Sequence, residues 1–260
     1  MSSNMTPESK TAPVALITGA ARRIGAAIAD EFHQRGFRVL LHCRASRAEA
    51  EVRVASFNRK RPESAAVVCA DLAAAGGGET LARDALAQFQ RLDVLVNNAS
   101  GYYPTALGEV GAAQWEDLQG SNLRGHFFLS QALAAELRAR GGAIVNFSDV
   151  HTSRPPRSYS AYAIAKAGVE ALTRSLAIEL APRVRVNAIA PGAILWPENL
   201  ADESAPGVAA ARARILRSIP LGTTGTPRQV AALCHFLAVE ASYLAGQIIR
   251  VDGGRHLGMR

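Results

Sequence analysis

The sequence predicts an α/β protein built on a doubly wound, parallel, seven-stranded sheet with helices on both faces. Three observations carry this. Seven short apolar, β-branched runs recur along the chain, Ala-rich amphipathic stretches separate them, and a glycine-bearing turn follows the first run. A length of 260 residues suits one large domain of this kind.

The strands are expected at 14–17, 38–41, 66–69, 94–96, 143–147, 185–189 and 247–251. All are nearly continuous apolar runs, as a sheet covered on both faces requires, and they lack the alternation of a half-exposed strand. Helical periodicity occupies 24–34, 47–58, 79–90, 121–138, 160–180 and 227–239. Gly76-Gly77-Gly78 falls where a strand-to-helix turn is expected. The polar, Ala-rich stretch 195–220 reads as a mobile cover over a substrate. No linker or repeat divides the chain, so 13–260 is expected to form a single domain after a disordered tail at 1–12.

Composition removes several function classes. Hydrophobic residues make up 48% of the chain, enough for a substantial core. No apolar run reaches the roughly 20 residues that cross a bilayer, and the Ser/Thr/Pro-rich start has no secretion-signal core. A cytoplasmic location and no membrane partner are therefore expected. Cys43, Cys69 and Cys234 are far apart and lack metal-ligand spacing, which fits reduced thiols and no metal. The net charge of +7 is almost all arginine, and apart from Arg59-Lys60-Arg61 it is scattered. Nucleic-acid binding would want basic clusters interleaved with aromatics, so no such partner is expected. Part of the excess is available to attract an anionic ligand.

After the first strand comes Thr18-Gly19-Ala20-Ala21-Arg22-Arg23-Ile24-Gly25, running directly into a helix. A glycine at the tight turn and another where helix meets strand let a pyrophosphate reach the helix N-terminus, where backbone N–H groups and the helix dipole bind it. In this βαβ context the loop marks a Rossmann-type dinucleotide site, with Gly19, Arg22, Arg23, Ile24 and Gly25 as expected contacts. The second strand ends Leu41-His42-Cys43-Arg44-Ala45-Ser46-Arg47, with no carboxylate for a ribose 2′-hydroxyl. An acid there would repel a 2′-phosphate, whereas Arg44 and Ser46 would bind one, so NADPH is expected over NADH. His42, Asp71 and Leu72 complete the adenosine end, and Asn98, Ala99 and Ser100 line the groove after the fourth strand.

Tyr162 and Lys166 stand four apart on one helical face. A free tyrosine is a poor acid–base group at neutral pH; a Lys ammonium one turn away is expected to stabilise its phenolate and let it pass a proton during hydride transfer. Asn122, at the start of the long helix, is placed to hold a water linking Lys166 to solvent.

Together these segments, with Arg185 to Gly192 and Val251-Asp252-Gly253-Gly254, resemble the short-chain dehydrogenase/reductase family over nearly the whole chain. The resemblance implies that Pro191-Gly192 begins the segment closing over nicotinamide and that Ser148, Tyr162 and Lys166 also line the cofactor site. Two departures are informative. Arg23 replaces the middle glycine of the loop, and Asp149 replaces the catalytic serine expected thirteen residues before the tyrosine. Because Ser148 is adjacent, a one-residue shift would restore an ordinary serine. Both departures together resemble the pteridine reductase branch, which implies an Asp149–Tyr162–Lys166 catalytic set. It also implies a pterin-binding segment at Ser100-Gly101-Tyr102-Tyr103-Pro104-Thr105, with Tyr102 stacking one face of the substrate ring while Ser100 and Arg23 hydrogen-bond its edge. A flat heterocycle is well held between two π-faces.

The expected activity is thus NADPH-dependent reduction of a C=N bond in a pterin, dihydropterin or folate. The alternatives are a carbonyl reductase of the same family, acting on a ketoacyl thioester or a sugar ketone, and a non-catalytic dinucleotide sensor. Trp196 either lines the pocket or anchors its loop. The resemblance also implies a homotetramer, with the helices from Ser121 and Ser160 packing across subunits; whether the tail 256–260 reaches a neighbour's site is left open. The Ala-rich faces of those helices would serve a core equally well.

Overall fold

The apolar runs form seven strands: β1 (Val14–Ile17), β2 (Arg38–Cys43), β3 (Ala65–Cys69), β4 (Val94–Asn97), β5 (Ala143–Phe147), β6 (Arg185–Pro191) and β7 (Ile248–Val251). In the computed structural model, which describes residues 12–197 and 200–258, they pair as one parallel sheet in the order β3-β2-β1-β4-β5-β6-β7. Most of the expected tail 1–12 lies outside the described residues.

Successive strand residues point to opposite faces, and both faces are buried. Ala15, Ile17, Val39 and Leu41 enter one core with Phe32 and Val230; Val14, Leu16 and Leu40 enter the other with Leu81, Leu133 and Leu176. That is why these strands read as unbroken apolar runs. The first core is covered by α1 (Arg23–Gln34), which follows β1, and α8 (Pro227–His235), which leads toward β7. The second is covered by α3 (Gly77–Phe89), α5 (Gly125–Arg140) and α6 (Ser160–Glu179). Helix α2 (Arg47–Lys60) joins β2 to β3. The strand order turns back between β1 and β4, which opens a crevice at the carboxyl ends of the strands, the usual ligand position in such sheets.

Besides the four-residue helix Arg255–Gly258, two helices escape the periodicity reading: α4 (Ala112–Gln119) and α7 (Val208–Arg217). Each buries a single residue, Leu118 and Val208, so neither carries an apolar stripe in its sequence. The second lies within the stretch 195–220 expected to cover the substrate. A π-helical turn, Gly120–Arg124, joins α4 to α5. The expected helix at 121–138 is therefore the latter part of a longer, interrupted one. The Ala-rich faces divide: Ala165 is buried, while Ala132, Ala135, Ala167 and Ala171 are exposed.

Candidate active site

The glycine loop is tied to the end of β4 by two side chains, Thr18 and Asn98. Thr18 Oγ1 donates to Val96 O at 3.2 Å and accepts from the N–H groups of Asn98 at 2.8 Å and Ala99 at 2.9 Å. Asn98 Nδ2 returns a bond to Thr18 O at 2.8 Å. Gly19 has φ +65°, and a Cβ on Gly25 would lie 2.2 Å from Gly19 O, so only glycine lets the loop fold against the helix start. The first-turn N–H groups of α1 have no intrahelical partner and open onto the crevice. Arg23 keeps the glycine-like conformation at φ +54° although it has a side chain, and it is exposed. Such a conformation is uncommon outside glycine and recurs where function demands it. Ile24 packs on the core.

His42 does not face the groove as a contact; it holds the loop from beneath. Its Nδ1 accepts from Gly19 N–H at 3.2 Å and its Nε2 lies 3.1 Å from Ala70 O, so the ring is neutral with the proton on Nε2. Burial lowers its pKa to about 4. The Leu72 side chain lies in the core.

The arginines at the adenosine end already have acidic partners. Arg44 lies 3.9 Å from Asp71 and 3.7 Å from Asp117, Arg22 pairs with Glu49, and Arg47 pairs with Glu51. All three are exposed, so these pairs hold only weakly and can exchange for a phosphate. Ser46 stands at the N-cap of α2 without using its hydroxyl there. Asp71 accepts from Ala73 N–H and remains exposed. Loop, helix start and exchangeable cations fit a phosphorylated dinucleotide.

At the end of β5 the chain decides between Ser148 and Asp149. Ser148 is buried and turned away, with its Oγ 3.1 Å from Glu170 Oε1. Asp149 faces the helix: Tyr162 Oη donates to its Oδ2 at 2.7 Å, and its Oδ1 accepts from His151 N–H at 2.7 Å, capping the short turn Val150–Thr152. The one-residue shift does not occur, and Ser148 binds protein rather than opening to the groove.

Lys166 is fully buried and donates to Phe147 O at 2.9 Å. Its ammonium lies 5.8 Å from the centre of the Tyr162 ring. Burial lowers its pKa to about 8, partly opposed by Asp149. Tyr162 moves well above the ordinary tyrosine value, first through burial and then through the Asp149 charge and hydrogen bond. These causes favour the protonated phenol in the protein alone. Asn122 sits within the π-helical turn, its Nδ2 bonded to Leu118 O and Gly101 O and its Oδ1 accepting from Ser100 Oγ at 2.6 Å. The wider turn lets a side chain in mid-helix reach across to the 100–105 segment; such π-bulges are frequent at functional sites.

Tyr102 lies over the site, edge-on to Tyr162 with ring centres 4.9 Å apart. One of its faces is taken: Tyr159 stacks on it at 4.7 Å and 17°. Tyr103 turns to Asp117, donating from Oη at 2.8 Å. Pro191 ends β6, and the next residue, Gly192, passes so close to Asp252 that an added Cβ would lie 2.6 Å from the Asp252 Cβ. Trp196 anchors its segment, with the Arg212 guanidinium 5.0 Å from its ring centre; Arg212 also binds Leu200 O, Ala201 O and Glu203. Of the tail 256–260, Met259 and Arg260 fall outside the described residues.

Sequence reasoning missed Glu170. One turn beyond Lys166, its Oε1 accepts from both Ser148 and Thr152, at 3.1 and 2.7 Å, and so holds the segment that carries Asp149. It also missed Tyr159. Continuing the four-residue spacing from Tyr162 and Lys166 would have found Glu170; nothing local marked Tyr159.

Fold, loop and Tyr–Lys helix define a dinucleotide-binding oxidoreductase. A family model described as enoyl-(acyl carrier protein) reductase matches residues 19–256, and the chain belongs to the short-chain dehydrogenase/reductase family, whose reductases use NAD(P)H. It is similar to pteridine reductase 1 of Leishmania tarentolae, 37% identical over 96% of this chain and 98% of the relative. The 3-oxoacyl-(acyl-carrier-protein) reductase of Staphylococcus aureus is 36% identical over 94% of this chain and 98% of the relative. That of Synechocystis is 37% identical over 94% and 97%. Among the described residues no helix is long and apolar enough to cross a membrane, and no cluster of His, Cys, Asp or Glu could hold a metal.

Proposed function

We propose that this chain is an NADPH-dependent pteridine reductase that adds hydride to carbon and a proton to nitrogen across a C=N bond of a pterin, dihydropterin or folate. The observation that carries the reading is the 2.7 Å bond from Tyr162 to Asp149, at a position where simple carbonyl reduction needs no carboxylate. NADPH supplies the hydride. Tyr162, protonated through the physiological range, holds the proton destined for the ring nitrogen. Asp149 orients that hydroxyl, and the buried Lys166 ammonium offsets negative charge left on the phenol oxygen. Asn122 holds the 100–105 segment against the helix. Tyr102 offers its free face to the heterocycle, with Ser100 and Arg23 at the polar edge and Trp196 fixing the covering segment.

NADPH over NADH rests on the absence of a carboxylate in the strand end His42-Cys43-Arg44 and on the exchangeable pairs of Arg44. A homotetramer is supported by the exposed Phe127 and Ile164 on α5 and α6, beside an apolar groove lined by Leu123, Phe128 and Leu172. Size-exclusion chromatography with light scattering checks it. With no membrane-spanning helix among the described residues, we place the enzyme in the cytoplasm.

The names of the two 3-oxoacyl reductases favour a second reading, reduction of a ketoacyl thioester on an acidic carrier. Assaying purified protein with NADPH against dihydrobiopterin, dihydrofolate and acetoacetyl thioester decides between them. A kcat/KM at least about tenfold higher for a pterin, or about 1.4 kcal/mol, is expected; preference for the thioester overturns the proposal. Tight NADPH binding with no turnover of any substrate would indicate a sensor.

A further inference from the structure

Cys43 and Cys69 are far apart in sequence and meet in the fold. They end neighbouring strands, β2 and β3, and are paired directly across the ladder. Their sulfurs lie 3.4 Å apart, with no other side chain between them. A disulfide needs sulfurs about 2.05 Å apart on Cα atoms within about 7 Å. Adjacent strands run about 4.8 Å apart, so the Cα spacing already falls within that limit, and the remaining approach is shared between side-chain rotation and a small shift of the two strand ends. Cys69 is half-buried and the more accessible sulfur, whereas Cys43 is buried. Burial and the neighbouring sulfur push the Cys43 thiol up to about 12. The Arg47 guanidinium lies within electrostatic range of both sulfurs. Cys234 is buried on α8, in the first core, and takes no part.

We infer that Cys43 and Cys69 form a reversible dithiol–disulfide site whose oxidation weakens dinucleotide binding. With a peroxide as oxidant, the Cys69 thiolate attacks one oxygen, the O–O bond breaks, and protonation of the leaving oxygen releases water and leaves a sulfenic acid. The Cys43 sulfur then displaces hydroxide from that sulfenic sulfur, its own proton leaving with the hydroxide as a second water. The two sulfurs lose two electrons and the peroxide gains them; a dithiol reverses the step.

The consequence for binding rests on the cofactor reading above. Cys43 immediately precedes Arg44, and Cys69 is followed by Ala70 and Asp71. Ala70 O is the partner of His42, which in turn holds Gly19. Drawing the sulfurs together by more than an ångström moves both strand ends at the adenosine side of the crevice.

The test is peroxide treatment of the purified full chain, with peptide mass mapping and NADPH fluorescence titration before and after. The expected result is the loss of two hydrogens per chain, a linked Cys43–Cys69 peptide, and recovery on dithiothreitol. NADPH binding should weaken by about tenfold, the loss of about one charge-assisted contact. Cys234→Ser should behave identically, and Cys43→Ser should leave a sulfenic acid on Cys69 that dimedone traps. Oxygen added to one sulfur without a link, or a link between two chains, overturns the site. A linked protein with unchanged NADPH affinity overturns its effect on binding. If the reduced protein binds no NADPH, the cofactor reading fails, while the mass result judges the disulfide separately.

Discussion

Replacing Asp149 by serine separates the two candidate chemistries at a single atom pair. The carboxylate takes a 2.7 Å hydrogen bond from Tyr162 and, through its other oxygen, caps the turn Val150–Thr152 at His151 N–H. Serine also caps well, so the fold should survive with little loss of stability. What disappears is one hydrogen bond to a charged group, worth about 1.5–3 kcal/mol. If that bond positions the proton in the transition state, kcat for a pterin falls about 10- to 100-fold. Two of the causes that raise the Tyr162 pKa vanish with it, leaving burial and the smaller effect of Tyr102. Serine is the residue the family usually carries here, so turnover of acetoacetyl thioester should hold or rise. The assay is NADPH consumption with each substrate, circular dichroism establishing that the variant is folded. Asp149→Asn, which keeps shape and cap but removes charge, should lose pterin turnover similarly. Pterin turnover within about twofold of wild type in both variants would refute the role given to Asp149, since a lost charge-assisted bond costs more than that.

Four further outcomes follow from the same geometry. Lys166 must be charged to offset a phenolate, and burial brings its pKa down to about 8, so kcat should decline as pH rises through about 8. Lys166→Met should abolish turnover without lowering Tm, because it removes a buried charge that favours deprotonation. Glu170→Ala frees both ends of the segment bearing Asp149; kcat should drop about tenfold with KM little changed, and Glu170→Gln, which keeps the accepting oxygen, should restore most of it. Gly25→Ala forces a Cβ to within 2.2 Å of a backbone oxygen. Overpacking of this kind costs about 1–3 kcal/mol, about 2–4 °C in Tm per kcal/mol at this size, and the distorted loop should lose NADPH binding by fluorescence titration.

The covered sheet was legible because both of its faces are buried, which leaves seven unbroken apolar runs in the chain. Gly19 and Gly25 were legible because only glycine meets the close approaches there, and Tyr162 and Lys166 because helical spacing alone brings them to one face. These are local constraints, so the residues that meet them stand within a few positions of one another. Helices α4 and α7 were not legible, since a helix that buries one residue writes no stripe. The choice between Ser148 and Asp149 depended on which side of β5 turns toward α6, and the neutral Tyr162 on how completely the fold removes water from it. Tyr159 behind Tyr102, Asp117 beside Arg44 and Cys69 beside Cys43 all arrive from distant segments. Sequence by itself determined the sheet, the dinucleotide loop and the Tyr–Lys pair; tertiary structure decided which carboxylate meets the tyrosine and which groups keep their protons, because burial and through-space charge belong to the packed molecule and not to any stretch of chain.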